Sequence, residues 1–266
     1  MEPAGQYRDY VQRMYLAPGE GVTKAKLELA KVSGGVTDVL NLEQLQLTDE
    51  DMETLIGPLS SLGQNIRVLN LFLNQLKKVP EELENLTHLE ELRLGCNPLE
   101  SIPEDIFRNM KRLKYLDIGY GCELTSIPDS IGECCELREL WAGNNRIHTL
   151  PASLWRCTKL ENLQVYGNDL SELSPEIGKL QSLKVLNLGR NQIKALPQTL
   201  GDCQELTVLH AYENDLSSIP KCFLDLKNLS VVNFYGNLQL GFLPREKLRE
   251  GLKATVAHYV NLRAEV

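Results

Sequence analysis

The 266-residue sequence lacks the features that mark several large classes of protein. No apolar run reaches the roughly 18 residues of a membrane-spanning helix, so no such helix is predicted. The first residues carry no apolar segment of the secretory type, and we expect no signal peptide. The seven cysteines are odd in number and form no CxxC pair. This favours a reducing compartment, the cytoplasm or the nucleus, over a disulfide-bonded scaffold.

Patterns that carry catalysis are also missing. The sequence has four histidines, and it contains no phosphate-binding GxxxxGK(S/T) loop, GxSxG nucleophile turn, HExxH pair or dinucleotide fingerprint. No serine or cysteine stands in register with a histidine as a nucleophile and its base. We therefore predict that the chain is not an enzyme and needs no cofactor or metal ion. The net charge of −8 disfavours nucleic acid as the ligand.

Leucine is the residue that the sequence has in excess, because 49 of the 266 residues are Leu while the apolar total is an ordinary 42%. The leucines recur at a fixed period. From Leu183 the pattern is LxxLxLxxNxLxxLPxxLxxC. Self-similarity of this kind indicates a repeat protein. Aligned segments, at intervals of 23, 24, 24, 23, 23, 23 and 23 residues, begin at Ile66, Leu89, Leu113, Leu137, Leu160, Leu183, Leu206 and Leu229.

The spacing within each repeat predicts its structure. In LxxLxL, alternate residues point inward on a short strand, and strands of neighbouring repeats stack into a parallel sheet. The LPxxLxxL limb that returns the chain has helical or 3₁₀ spacing, and a proline marks the turn into it, as at Pro80, Pro151 and Pro197. One coil cannot bury its own leucines, so stability comes from the stacking of neighbours.

An asparagine column accompanies the leucines. A buried amide without partners costs about 1–3 kcal/mol, and an amide can donate to the carbonyls of one coil while it accepts from the next. We therefore interpret the column as a structural ladder and exclude it as a ligand set. The column breaks once, at Gly121, in a coil with one extra residue before Pro128, where we predict a bulge. The seven ladder residues are Asn74, Asn97, Asn145, Asn168, Asn191, Asn214 and Asn237.

These motifs resemble the leucine-rich repeat family over residues 66–244. The Leu-Pro or Ile-Pro step after each asparagine is similar to intracellular 23-residue repeats of the Ras–Raf scaffold, Ras-suppressor and polarity-scaffold kind. The resemblance implies an α/β fold, a right-handed solenoid curved into a horseshoe. Its parallel β-sheet would be concave, its convex side would carry short helical or 3₁₀ segments, and helices would cap both ends.

The ends depart from the repeat, and the chain is divided accordingly. Residues 1–36 are predicted to be an N-terminal cap with a short helix over 6–15 and turns at 17–22 and 33–35. Residues 37–65 are predicted to be a longer repeat, with a helix that begins at Asp49 and has acidic residues in its first turn. Eight repeats of 23–24 residues are assigned to 66–244 and a capping helix with one apolar face to 245–266.

Most cysteines occupy core positions in this pattern. Cys134, Cys157 and Cys203 stand where other repeats have a leucine, and we interpret them as small core residues. Cys96 lies on the concave face and Cys122 in the irregular turn. These two are therefore the better candidates for an exposed thiol.

The concave face supplies the candidate site. Exposed Trp, Tyr and Arg in one patch have the composition of a protein-binding hot spot, whereas Tyr and Asn also suit a strand surface that has no ligand. The charges of this face are mixed, so the net −8 is predicted to lie mainly elsewhere. We predict that a partner binds nine side chains in register: Phe72, Arg93, Tyr120, Trp141, Tyr166, Arg190, His210, Tyr212 and Tyr235.

These features together predict a non-catalytic, intracellular protein-interaction module or signalling scaffold. It would be monomeric on its own and would bind a protein partner on its concave face around Trp141 and Tyr166. The resemblance implies a small GTPase, a kinase or a phosphatase as the partner. The first alternative is a recognition or immune-type receptor subunit, or a substrate adaptor, that acts with a separate effector such as a ubiquitin ligase. Two further alternatives are an enzyme that uses His210 and a structural array that self-associates through its caps.

Overall fold

The computed structural model describes residues 19–240. Within them the chain forms nine short strands joined by turns, 3₁₀ segments and two α-helices. The helix predicted over 6–15 and the capping helix predicted over 245–266 lie outside the described residues. The strands are β1 (Val39–Asn41), β2 (Val68–Asn70), β3 (Glu91–Arg93), β4 (Tyr115–Asp117), β5 (Glu139–Trp141), β6 (Asn162–Gln164), β7 (Val185–Asn187), β8 (Val208–His210) and β9 (Val231–Asn233).

The strands form one sheet in sequence order from β1 to β9, and every neighbouring pair is parallel. Their central residues are in register, so Leu40, Leu69 and Leu92 begin a column of buried side chains that continues to Leu209. Each strand turns one central side chain inward because side chains alternate between the two faces of a strand. The predicted solenoid with a parallel sheet is confirmed.

Short 3₁₀ segments lie between most strands, as the spacing of the return limb predicts. The proline that precedes several of them has an extended backbone and ends the turn into the segment, as at Pro80, Pro128 and Pro197. The segments bury apolar side chains against the core, such as Leu83 and Leu154. Those between strands are Glu81–Asn85, Asp129–Glu133, Ala152–Arg156, Pro175–Lys179, Gln198–Asp202 and Lys221–Leu224, and a further segment, Leu238–Leu240, follows β9.

An unpredicted helix, α1 (Glu20–Ser33), lies at the N-terminal end of the described chain. The turn expected over 17–22 is therefore wrong where this helix begins. The helix buries Leu29 in the core. Gly21 weakens the helical signal in the sequence, yet close packing requires a glycine there, because a Cβ would clash with the carbonyl oxygen of Leu45.

The second helix, α2 (Asp49–Ser61), begins where the sequence predicts. Thr48 caps it: the Thr48 hydroxyl accepts from the N–H of Asp51 at 3.3 Å, and the Asp51 carboxylate accepts from the N–H of Thr48 at 2.9 Å. This reciprocal capping box satisfies two backbone donors at the helix start. The helix buries Met52 and Leu55 and forms the return limb of the longer repeat. The domain limits at 36, 65 and 244 stay predictions.

The asparagine column forms the predicted ladder, and all seven residues are buried. Asn168 is representative. Its Nδ2 donates to the carbonyl oxygens of Ala142 and Val165, both at 3.0 Å, and its Oδ1 accepts from the N–H of Ile147 at 3.0 Å. Each amide accepts from the coil that precedes it, whereas the sequence interpretation assigned that bond to the next coil.

The gap in this ladder is filled by Cys122 and not by Gly121, which corrects the position assigned from sequence. The extra residue is Gly121 itself, which has a positive φ of 78° and moves Cys122 into the asparagine position. Cys122 is buried, its sulfur lies 4.0 Å from the Gly119 carbonyl oxygen, and the backbone N–H of Leu99 donates to it. A thiol thus replaces an amide with weaker hydrogen bonds.

The prediction of exposed thiols is also wrong. Cys122 is buried and Cys96 is half-buried, and burial raises the pKa of Cys96 to about 12 and that of Cys122 to about 11. The exposed cysteine is Cys135. The three cysteines assigned to the core are buried as predicted, and their sulfurs approach carbonyl oxygens of the preceding coil, as Cys157 does to Ile131 at 3.4 Å.

Thiol labelling tests this corrected assignment. We expect a water-soluble disulfide reagent to label native protein with one fast phase, from Cys135, because the reactive species is the accessible thiolate. The other thiols are buried or half-buried, and burial raises the pKa of each. Cys135→Ser should remove the fast phase, whereas the control Cys122→Ser should leave it unchanged. Fast labelling that survives in Cys135→Ser would contradict the assignment. Unfolding in urea should release all seven thiols in the wild type.

Candidate binding face of the sheet

The open side of the sheet is formed by four columns of side chains outside the leucine core, which together we call the sheet face. Relative to the central residue of each strand, these columns lie at positions −1, +1, +3 and +4. All nine residues predicted from sequence lie on this face. Arg93, Trp141 and His210 are at +1, Phe72, Tyr166, Tyr212 and Tyr235 are at +3, and Tyr120 and Arg190 are at +4.

The sequence pattern predicts that the aromatic rings of the sheet face are exposed. In the structure, most of them are half-buried. The Tyr166 ring lies over Gly143 of the preceding coil, where a Cβ would come within 2.7 Å of the ring. The Tyr212 ring covers Gly189 in the same way. Tyr235 differs, with 77% of its surface exposed. Small residues under the rings thus let the tyrosines pack flat across the sheet.

Three tyrosines form a cluster around β6, which we call the tyrosine cluster: Tyr120, Tyr166 and Tyr212. The Tyr166 hydroxyl donates to the Tyr120 hydroxyl, and the two rings meet edge to face with centroids 6.0 Å apart. Burial raises the pKa of Tyr166, and the hydrogen bond to Tyr120 raises it further. Burial also raises the pKa of Tyr212. Tyr166 and Tyr212 are therefore uncharged at neutral pH, and the contacts of Tyr166 with Tyr120 order the cluster before a partner binds.

Trp141 and His210 flank this cluster in the +1 column. The indole Nε1 of Trp141 donates to Oε2 of Glu139 at 3.1 Å, which holds the half-buried ring in place. The His210 ring meets the Tyr212 ring edge to face at 6.5 Å. Its Nδ1 is buried and has no hydrogen-bond partner among residues 19–240. Burial lowers the pKa of His210, so its imidazole is neutral at pH 7.

The other predicted residues are not brought into the cluster. Phe72 lies near the N-terminal end of the described sheet and Tyr235 at its C-terminal end. Arg93 is already engaged: its Nε pairs with Glu91, and its guanidinium carbon lies 5.1 Å from the centroid of the Tyr115 ring. The exposed Arg190 pairs with a glutamate of the next coil.

Two residues of this face were missed as site candidates. Tyr115, at −1, stacks with Arg93 and has its pKa raised to about 12 by burial. Asp117, at +1 between Arg93 and Trp141, is only 8% exposed. The −1 column, which places Tyr115 on the face, is a sequence signal that could have found it. The burial of Asp117 has no such signal, because it depends on the neighbouring coils.

A ladder of ion pairs runs along the residues that precede the strands. Glu90 pairs with Lys114 at 2.6 Å and with Arg67 at 3.2 Å, and Glu161 pairs with Lys184 at 2.6 Å and with Arg138. Hydrogen bonds from the lysines lower the pKa of both glutamates. Exposed pairs of this kind contribute at most about 1 kcal/mol each. They lie at position −2 and border the sheet face with charges of both signs.

The chemistry of the sheet face is that of non-covalent recognition. It presents aromatic surface, hydroxyl and indole groups and paired charges, which are the groups that recognise protein surfaces. Across residues 19–240, no group of three or more His, Cys, Asp or Glu side chains is arranged to hold a metal ion. In the same part of the chain, no helix has both the length and the apolar character needed to cross a membrane.

Stacked strand-and-turn coils, a buried asparagine ladder and an open aromatic sheet define a class, the parallel-sheet solenoid repeat proteins. Sequence profiles then identify the family. A leucine rich repeat profile matches residues 87–147 and 158–216, and a profile of two leucine rich repeats matches 64–109. The chain belongs to the leucine-rich repeat family, whose fold is typical of non-catalytic modules that bind proteins.

Several known proteins are similar to parts of this chain. The human volume-regulated anion channel subunit LRRC8A is 34% identical over 143 residues, 52% of this chain and 17% of that protein. The rat subunit LRRC8D is 31% identical over 138 residues, 50% of this chain and 16% of that protein. This chain thus spans about a sixth of the length of the curated relatives that it matches.

Solved structures share the fold. Internalin C2 of Listeria monocytogenes is 25% identical with a TM-score of 0.64, over 77% of this chain and 83% of that chain. The ectodomain of the Arabidopsis thaliana membrane receptor kinase GASSHO1/SCHENGEN3 was solved in complex with CASPARIAN STRIP INTEGRITY FACTOR 2. It is 32% identical with a TM-score of 0.61, over 67% of this chain and 22% of that chain.

Proposed function

We propose that this chain is a protein-interaction module that binds a protein partner on its sheet face, centred on Trp141 and Tyr166. The observation that carries the proposal is the half-buried tyrosine cluster beside a hydrogen-bonded tryptophan. Trp and Tyr are enriched among the residues that dominate binding energy at protein interfaces. Here they occupy the middle of a wide, open sheet.

The energetic argument rests on the order of these rings before binding. Tyr166 is held by a hydrogen bond to Tyr120 and by packing over Gly143, and Trp141 is held by its bond to Glu139. Side chains that are already fixed lose little conformational entropy when a partner arrives. The ion pairs around Glu90 and Glu161 form a polar rim, which suits specificity and association rate more than affinity.

The cellular role that best fits these features is signalling. The Leu-Pro repeats resemble those of intracellular scaffolds, and the free cysteines suit a reducing compartment. We therefore extend the proposal to a cytoplasmic scaffold whose partner is a small GTPase, a kinase or a phosphatase. In this role the module binds as a monomer and brings its partner to other components.

A second candidate is a recognition subunit that works with a separate effector. The likeness to the GASSHO1/SCHENGEN3 ectodomain, solved with its bound factor, favours this role. In that case the ligand would be an extended peptide that crosses several coils. Co-purification of the chain with ubiquitin-ligase components would favour this candidate over the signalling scaffold.

The test of the proposal removes the central rings. Partners should be identified by proximity labelling in the native cell, and the strongest should then be titrated against purified protein. Trp141→Ala with Tyr166→Ala should weaken binding at least tenfold, because each ring is a candidate hot-spot residue worth about 2 kcal/mol or more. Leu224→Ala, which removes an exposed apolar side chain from a 3₁₀ segment outside the sheet face, is the matched control.

The outcome is decided by comparison of the two variants. Binding should be lost in the aromatic variant and retained in the control, and both should keep the circular dichroism spectrum and melting temperature of a folded repeat protein. If the folded aromatic variant binds its partner as tightly as the wild type, the sheet face is not the site.

A further inference from the structure

A structural bond recurs in the +1 column of the sheet. In five coils a side-chain oxygen at this position accepts a hydrogen bond from the backbone N–H two residues later, which closes the strand end. Four of these coils use a neutral amide and one uses a carboxylate. Since an amide oxygen makes the bond equally well, the negative charge is not needed for it. The residues are Asn41, Asn70, Asn187, Asn233 and Asp117.

Within residues 19–240, few groups engage the carboxylate of Asp117 directly. Its Oδ1 accepts from the N–H of Gly119 at 3.0 Å, and this is its one hydrogen bond among residues 19–240. Within the same residues it has no ion pair. Only 8% of the surface of the residue is nonetheless exposed. Its Oδ2 has free acceptor capacity and is not among the atoms that are both sealed from solvent and unbonded, so a donor from outside can reach it.

Asp117 is one of two acids next to Trp141 that have no ion pair within residues 19–240, and the other, Glu139, already accepts hydrogen bonds from Trp141 and Asn162. The neighbouring +1 residues are Arg93 on β3 and Trp141 on β5. Arg93 makes no ion pair with Asp117, because it pairs with Glu91 and stacks on Tyr115, and its charge lowers the pKa of Asp117 only from a distance. The remaining groups that interact with the Asp117 charge are the hydroxyls of Tyr115 and Tyr166 and the thiols of Cys96 and Cys122.

We propose that the sheet face binds an arginine side chain of its protein partner, with the guanidinium paired to Asp117 and stacked against Trp141 and the tyrosine cluster. Arginine fits better than lysine for two physical reasons. Its planar guanidinium stacks on aromatic rings and meets a carboxylate with two parallel hydrogen bonds. It is also more weakly hydrated than an ammonium group, so it enters a half-buried site at lower cost. The inference rests on the proposed function and names the chemistry of the partner.

This pairing predicts how binding depends on pH. Burial raises the pKa of Asp117 to about 6, so the free protein holds the carboxylate partly protonated just below neutrality. Arginine binds the ionised form, so affinity should be highest above pH 7 and should fall as the pH drops through 6. Burial keeps Cys96, Cys122, Tyr115 and Tyr166 protonated over this range, because it raises each pKa. Arg93 stays charged throughout.

A peptide selection tests the inference with random sequences in place of the natural partner. A random peptide library displayed on phage should be selected against the full wild-type chain and, separately, against Asp117→Asn. We expect arginine to be enriched at one position in the peptides from the wild type but not in those from the variant. The tightest peptide should then be synthesised with that arginine and with citrulline, its neutral isostere. Citrulline should weaken binding to the wild type at least tenfold and to Asp117→Asn less than twofold.

The controls separate this inference from the proposed function. Asp117→Asn should fold normally, since four sister coils carry asparagine at this position. If the selected peptides depend on Trp141 and Tyr166 but show no preference for arginine over citrulline, the arginine site is wrong and the binding face stands. If the selected peptides bind equally well after Trp141→Ala with Tyr166→Ala, or if no peptide is enriched, the proposed function fails with it. A preference for lysine over arginine would also overturn the inference.

Discussion

Asn168→Ala is expected to lower the free energy of unfolding by about 2–4 kcal/mol. The substitution leaves the buried N–H of Ile147 without an acceptor, and an unsatisfied buried group costs about 1–3 kcal/mol. The three carbonyls to which Asn168 donates are less affected, because each has another donor. Ala142 O also accepts from Asn145, Val165 O from Asn191, and Tyr166 O from the N–H of Asn144. The void left by the missing amide adds a further term.

Urea denaturation followed by circular dichroism measures this effect. Asn162→Ala is the matched control, because Asn162 stands on the half-exposed side of the same coil and its amide bonds two side chains, those of Glu139 and Gln164. We expect the control to change stability by no more than about 0.5 kcal/mol. A loss of equal size in both variants would show that the asparagine column has no special importance for the stability of this fold.

The position within the array should also matter. Asn168 bonds its own coil and the preceding one and lies near the middle of the described coils, so its loss weakens an interface between two folded neighbours. In solenoids, stability is close to a sum of coil and interface terms. A weakened central interface should therefore broaden the urea transition as well as shift its midpoint.

Asp117→Asn is expected to stabilise the protein at pH 7, by up to about 3 kcal/mol. The pKa of this carboxyl is about 6 in the folded chain against an ordinary 3.8, and each pKa unit corresponds to about 1.4 kcal/mol. The folded state therefore binds the proton more tightly than the unfolded state. The stability contributed by the wild-type residue is fully present below pH 3.8 and is lost as the pH rises through 6. The asparagine variant has no such loss.

The comparison should be made by urea denaturation at pH 4, 5, 6 and 7. The gain in free energy of unfolding from Asp117→Asn should be small at pH 4 and should grow with pH. Because the other acids titrate alike in both proteins, their contribution cancels in the difference. Asn187→Asp is the mirror control. It places a carboxylate at the same position of β7, so it should reduce stability at pH 7 and less so at pH 4. A stability difference between wild type and Asp117→Asn that does not change with pH would contradict the burial argument.

The repeat was accessible from sequence because its signals recur many times. Leucines at LxxLxL spacing set the inward column from Leu69 to Leu209, and each coil repeats the same pattern independently. The asparagine column was predictable for the same reason, since a buried amide at a fixed period has to bond backbone groups of its neighbours. The helix at Asp49 was predictable from its acidic first turn.

The misassigned features are those that occur once. The helix at Glu20–Ser33 stands outside the repeat, and Gly21 indicates a turn until its contact with Leu45 is seen. The insertion at Gly121 shifts the register by one residue, so counting from the previous leucine leads to the wrong ladder position. Cys122 occupies that position. A single insertion has no second copy that would reveal the shift.

The sequence by itself determined the coil period, the register of the sheet, the ladder and the set of side chains on the sheet face. Only the tertiary structure decided how those side chains share the face. The Tyr166 ring rests on Gly143 and reaches Tyr120, 46 residues away in the chain. Asp117 is buried because the neighbouring coils cover it, which its own residue type does not predict. The period of a repeat specifies which column a residue joins, whereas packing between neighbouring coils specifies its burial, its pKa and its partners.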